Sequence, residues 1–80
     1  MRLPRDLSGR EFAKLLTALE YEITRQSGSH IRLTTQLDGE HHLTVPDHDP
    51  MKIGTIGSAL RALAEHHGLE RDELMRKLFG

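Results

Sequence analysis

YEITRQSGSHIRLTTQLDGEHHLTV, residues Tyr21 to Val45, holds three alternating stretches separated by two turn signals. Tyr21-Glu22-Ile23-Thr24-Arg25-Gln26 alternates, is rich in β-branched and aromatic residues, and reads as a strand. His30 to Gln36 alternates again, with Ile31 and Leu33 on one face and His30, Arg32 and Thr34 on the other. His41 to Val45 is the third strand, stopped by Pro46. Ser27-Gly28-Ser29 and Asp38-Gly39 are the turns, so the strands run antiparallel.

Apolar pattern decides the register. A two-residue Asp38-Gly39 loop would set Leu33 opposite Thr44 and leave Leu33 and Leu43 on opposite faces, which one buried face forbids. A three-residue loop, Leu37-Asp38-Gly39 with Gly39 left-handed, pairs Leu33 with Leu43 and Ile31 with Val45. The same logic predicts a three-residue Ser27-Gly28-Ser29 loop that pairs Ile23 with Leu33. The open face then carries Gln26 beside His30, a Thr24–Arg32–Thr44 row, and a Glu22–Thr34–His42 row.

Helices flank this sheet in the sequence. Ser8-Gly9-Arg10-Glu11 is a capping box, followed by Phe12, Leu15, Leu16 and Leu19 at helical spacing, with an end expected near Glu20. Pro46-Asp47-His48-Asp49-Pro50 is a rigid polar loop. A second helix starts around Gly54-Thr55, buries Ile56, Ala59, Leu60 and Leu63, and stops at Gly68. A short last helix spans about Glu70 to Phe79 and presents Leu74, Met75 and Leu78. The order predicts an α+β two-layer domain over residues 1–80, with helices on one face of the sheet.

Composition narrows the functional classes. With 80 residues and no cysteine, the chain builds one modest core without disulfides or thiolate metal sites. No apolar run approaches membrane-spanning length and the start lacks the apolar core of a signal peptide, so a cytoplasmic protein with no membrane partner is expected. The net charge of −1 is not that of a general nucleic-acid binder. It is uneven, however: residues 1–37 hold six basic groups against four acidic, and the remainder five against eight. A polyanion site is expected on the N-terminal half.

One histidine stands out. His30 follows the Ser-Gly-Ser turn, whose backbone N–H groups suit an anion such as phosphate. Imidazole moves protons near neutral pH, and Arg32 on the same face offers a guanidinium fork for phosphate. The residues alone allow a second reading, in which His30 and Arg32 are merely solvated. No metal is expected. His41 and His42 point to opposite faces of a strand, His66 and His67 diverge on a helix, and His48 between Asp47 and Asp49 lacks a ligand spacing.

Several short motifs share an order and spacing: Leu3-Pro4-Arg5 ahead of the Ser8-Gly9-Arg10-Glu11 start, Gly28-Ser29-His30, Asp38-Gly39, Val45-Pro46-Asp47-His48, and Lys52-Ile53-Gly54-Thr55. Together they resemble the HicA, or YcfA-like, toxins from about Arg2 to about Leu78. The resemblance implies an α-β-β-β-α fold like a double-stranded-RNA-binding domain, here with a short C-terminal helix. It also implies an mRNA-cleaving endoribonuclease, the toxin of a type II toxin–antitoxin pair, silenced by a HicB-like antitoxin. The family's catalytic histidine corresponds to His30, with no cofactor. The slightly acidic balance departs from the basic character common in RNA-cutting toxins.

Arg5, Ser27, Gly28, Ser29, Arg32 and Lys52 are the candidate RNA-binding residues, Arg5 and Lys52 because each lies in a matched motif. Arg2, Arg10 and Arg25 are further phosphate candidates. The expected states are a monomer when free and a hetero-oligomer with the antitoxin. Two rivals stand beside this reading. One is a non-catalytic module for duplex RNA, disfavoured because Thr55-Ile56-Gly57-Ser58 lacks a basic run. The other is a partner-binding protein that has lost cleavage.

Overall fold

The structure, a computed structural model, describes residues 6–80. The chain runs through α1 (Gly9–Leu15), a 3-10 turn (Leu16–Leu19), β1 (Glu22–Ser27), β2 (His30–Thr35), β3 (His41–Pro46), α2 (Ile53–His67) and α3 (Arg71–Phe79). The strands form one antiparallel sheet in the order β1-β2-β3, flanked by helices as the sequence pattern predicts. Among the described residues no helix is long and apolar enough to cross a membrane.

Local chemistry sets the first helix. The Ser8 hydroxyl accepts from the Glu11 N–H at 3.1 Å, and the Glu11 carboxylate accepts from the Ser8 N–H at 3.0 Å. The Ser8 N–H first, and then the Ser8 hydroxyl beside the carboxylate, hold the Glu11 carboxyl below its ordinary value. The helix tightens after Leu15, where the Thr17 hydroxyl donates to the Lys14 carbonyl at 2.7 Å, and ends on left-handed Glu20. Phe12, Leu16 and Leu19 are buried in one core with Ile31, Leu33, Val45, Ile56, Leu60 and Leu63. Leu74, Met75 and Leu78 of α3 complete it, so the apolar stripes are core as expected.

The hairpin between β2 and β3 has the predicted register, Leu33 opposite Leu43 and Ile31 opposite Val45. The β1–β2 hairpin differs. Ser27 pairs with His30, leaving a two-residue Gly28-Ser29 turn with Gly28 at φ +58° in place of the predicted three-residue loop. That tighter turn would send Ile23 opposite Thr34 on the open face. A β-bulge at Thr24 absorbs the extra residue and restores Ile23 opposite Leu33. The predicted neighbours therefore change: Ser27, not Gln26, lies beside His30, and Arg25, not Thr24, lies opposite Arg32. The Glu22–Thr34–His42 row forms as predicted.

Histidines at the end of α2 also depart from expectation. His66 and His67 were expected to diverge, yet both rings meet His41, at centroid distances of 4.2 and 6.5 Å. Successive helical residues are only about 100° apart, so one ring lying between them can touch both.

Helix α1 is pinned at its start. The Gly9 N–H donates to the His48 carbonyl at 2.9 Å, and the Met51 N–H donates to the Leu7 carbonyl at 2.8 Å. A Cβ on Gly9 would run into the Pro46 carbonyl, which is backbone and cannot swing aside. Gly54, near the start of α2, has open space instead. Gly9→Ala should therefore cost about 1–3 kcal/mol or more, lowering the melting temperature by several degrees. Gly54→Ala should raise it slightly through helix propensity. Thermal melts of the two variants check this, and equal behaviour would contradict the close approach at Gly9.

Candidate functional site

The open face of the sheet is polar because alternation sends the apolar set to the helices. His30, Arg32, His42 and Thr44 are exposed on it and Thr34 is half-buried, whereas Ile31, Leu33 and Val45 are buried behind them. All six residues of β1 are exposed, since it is an edge strand that the helices leave uncovered.

His30 begins β2 directly after the turn and pairs with Pro46 across the sheet. The loop after β3 is tied to this corner through Asp47. Its backbone N–H donates to the Ser29 carbonyl at 2.6 Å. Its carboxylate takes the Arg10 guanidinium at 3.2 Å and the Gln26 amide at 3.5 Å. One residue thus ties α1, β1 and the turn together, fixing the backbone on which His30 stands. His30 itself is exposed, and nothing lies within 4 Å of where a Cβ on Gly28 would be. Glycine serves here for its left-handed backbone and not for lack of room.

The two-residue turn brings a residue to the site that sequence reasoning left on the margin. Arg25 lies directly opposite Arg32, both exposed, and among the described residues neither forms an ion pair. Thr24 stays on the same face, its hydroxyl 3.0 Å from that of Thr34 and donating to the Arg32 carbonyl at 3.4 Å. Like charges set opposite one another across strands disfavour the pairing. An anion between the two guanidinium groups would turn that repulsion into attraction. The only signal in the sequence was the choice of turn length, which decides whether Thr24 or Arg25 faces Arg32.

Other candidates fall as follows. Gly28 and Ser29 form the turn and Ser27 closes β1, all exposed. Arg10 is engaged by Asp47. Lys52 is the exposed N-cap residue of α2, on the far side of the 46–51 loop from β3. Arg2 and Arg5 lie outside the described residues. His48 is exposed and contributes its carbonyl to Gly9. Among the described residues no group of three or more His, Asp or Glu is arranged to hold a metal ion.

This arrangement offers a proton-moving imidazole, open to solvent, on the face that carries two unpaired guanidinium groups. Comparison with known proteins gives one family. A family model described as the HicA toxin of bacterial toxin–antitoxin systems matches residues 9–64. No curated protein and no solved structure matches the chain. The matched segment runs from the first residue of α1 through the whole sheet and most of α2, with His30, Arg25, Arg32 and Asp47 inside it. The chain belongs to the HicA toxin family, and so to the toxin side of toxin–antitoxin systems, which implies an antitoxin partner.

Proposed function

We propose that this toxin is an endoribonuclease that cleaves mRNA without a metal, with His30 moving the proton and Arg25 and Arg32 holding phosphate. The observation that carries this reading is the exposed His30 on a braced turn, on the same sheet face as the unpaired Arg25–Arg32 pair. RNA brings its own nucleophile. His30, as a neutral imidazole, takes the proton of the 2′-OH as that oxygen attacks the adjacent phosphorus. The P–O5′ bond breaks, the 5′-oxygen leaves with a proton from water, and a 2′,3′-cyclic phosphate remains. Guanidinium groups stabilise the charge that builds on the phosphate oxygens.

Folded His30→Ala protein should lose cleavage by a factor of about 10² or more and no longer arrest growth. Because the side chain is exposed, its melting temperature should stay close to that of the native protein. Cleavage should persist in EDTA. Full activity of folded His30→Ala would remove the histidine from the chemistry. RNA binding without cleavage by the native protein would favour a non-catalytic RNA-binding module.

Arg25 and Arg32 should act mainly on affinity. Replacing either with Ala should weaken binding to RNAs of different sequence alike, and reduce the slope of log affinity against log salt by about 0.7 for each phosphate that is no longer neutralised. Filter binding across a salt series reads this directly, and an unchanged slope in both variants would contradict the clamp.

The proposed site is shallow and polar, with no deep pocket to plug, so an inhibitor has to cover it. We read the partner as a HicB-like antitoxin that lays a carboxylate-bearing surface over His30 and the two arginines, excluding RNA by competition. Carbethoxylation of His30 should proceed in the free protein, a monomer in this reading, and be blocked in the complex. Equal reactivity in both would place inhibition elsewhere.

A further inference from the structure

Away from the proposed RNA face, the tip of the β2–β3 hairpin meets the last turn of α2 through five side chains that the proposed chemistry does not use. The Tyr21 hydroxyl lies 2.7 Å from His41 Nδ1 and 3.0 Å from His67 Nε2. His67 Nδ1 lies 3.0 Å from a carboxylate oxygen of Asp38. His66 Nε2 sits 3.2 Å from the Leu37 carbonyl and 3.1 Å from the Gly39 carbonyl. The His41 and His66 rings stack with centroids 4.2 Å apart, and His67 stands edge-on to His66 at 4.6 Å. Tyr21 and His67 are buried, at 1% and 8% exposure, so water does not replace a missing partner there.

Proton positions follow from the acceptors. A carboxylate only accepts, so His67 carries its hydrogen on Nδ1 and leaves Nε2 bare. The Tyr21 hydroxyl then donates to His67 Nε2 and accepts from His41 Nδ1–H. His66 faces two carbonyls and carries its hydrogen on Nε2. Every buried side-chain polar atom of the cluster has a partner with all three rings neutral. Burial pushes the Tyr21 hydroxyl up to about 12, so it passes protons in this chain without ionising.

One added proton leaves the chain intact. If His67 holds hydrogen on both nitrogens, Nε2–H donates to Tyr21, the Tyr21 hydroxyl turns to donate to His41 Nδ1, and His41 moves its hydrogen to Nε2. The positive ring then faces the Asp38 carboxylate. A second proton has no such place. On His41 it sets another N–H against Tyr21 and leaves the buried hydroxyl without an acceptor. On His66 it puts a second cation in a ring stack with His41 and His67 close by.

We propose that the Asp38–His67–Tyr21–His41 chain, with His66 stacked upon it, is a proton-operated latch between the hairpin tip and α2: it keeps every bond with one proton and opens with two. The groups facing it are Tyr21 ahead of β1, Asp38 in the hairpin tip, His66 and His67 on α2, and exposed Glu65 beside His41 and His66 at the surface. His42, next along β3, faces away and bonds Thr34 and Glu40. Burial, and then the nearby histidines, hold the His41 pKa below its ordinary value. The unfolded chain therefore binds protons before the folded one. Stability is full above about pH 6.5 and is lost as pH falls below it.

Two measurements on the whole protein test the latch. Ring-nitrogen NMR near pH 8 should find His41 and His67 with hydrogen on Nδ1 and His66 with hydrogen on Nε2; hydrogen on Nε2 of His67 would overturn the chain. Urea unfolding at pH 6 and pH 5 should show the folding constant falling by at least about tenfold, the effect of one net proton per pH unit. His41→Gln keeps an N–H for Tyr21 without the titration, so its fall should be clearly smaller than that of the native protein. His48→Gln, on the exposed loop, should match the native protein. A native folding constant unchanged between pH 6 and 5, or an undiminished fall in His41→Gln, would overturn the proposal. If His41→Gln does not fold, the ring-nitrogen assignment and the native pH series still decide the matter.

Discussion

A two-residue turn at Gly28-Ser29 and the pairing of Ile23 with Leu33 cannot both occur in a regular β1–β2 hairpin. The turn sets Ser27 opposite His30, and from there strict alternation would place Ile23 on the polar face. The apolar side of the sheet takes Ile23 beside Leu33, at the exposed rim of the core. The bulge at Thr24 satisfies both, and its by-product is chemical: two successive residues, Thr24 and Arg25, now share the open face beside Arg32. The two-residue turn sets Arg25 opposite Arg32, and the bulge adds Thr24 to the same face.

The other half of the site depends on backbone contact. Asp47 joins the loop after β3 to α1, β1 and the Ser29 turn, while Gly9 lets the start of α1 approach Pro46 and His48. These ties fix the corner that carries His30 while leaving its imidazole open to solvent. A chain of net charge −1 can still present two cationic groups side by side on one face. Arg10 is engaged by Asp47, but Arg25 and Arg32 face solvent without a carboxylate partner among the described residues. Local charge, not the total, sets the affinity of a shallow site.

Much of this was legible in the sequence because alternation and capping are local signals. Ser8 and Glu11 announced α1, Gly68 announced the end of α2, and pairing Leu33 with Leu43 followed from the need for one apolar face. Apolar alternation also placed Ile23 opposite Leu33, but it cannot separate a three-residue turn from a two-residue turn plus a bulge. Both put Ile23 in the same place, and they differ in whether Gln26 or Ser27 lies beside His30 and whether Thr24 or Arg25 faces Arg32. The histidine cluster was hidden for another reason. His41, Tyr21 and His67 lie far apart in the chain and meet only when the hairpin tip packs on α2, so no spacing rule reveals them.

In the proposed mechanism this face cleaves RNA with the substrate's own 2′-hydroxyl as nucleophile, and a histidine moves the proton. The chemical nature of the new ends tests it most directly. Purified protein acting on a short RNA in EDTA should leave a 2′,3′-cyclic phosphate, or the monophosphate formed by its hydrolysis, on one fragment and a 5′-hydroxyl on the other. Fragments ending in a 3′-hydroxyl and a 5′-phosphate would mean that water, and not the ribose, attacks the phosphorus, and the proposed mechanism would be wrong.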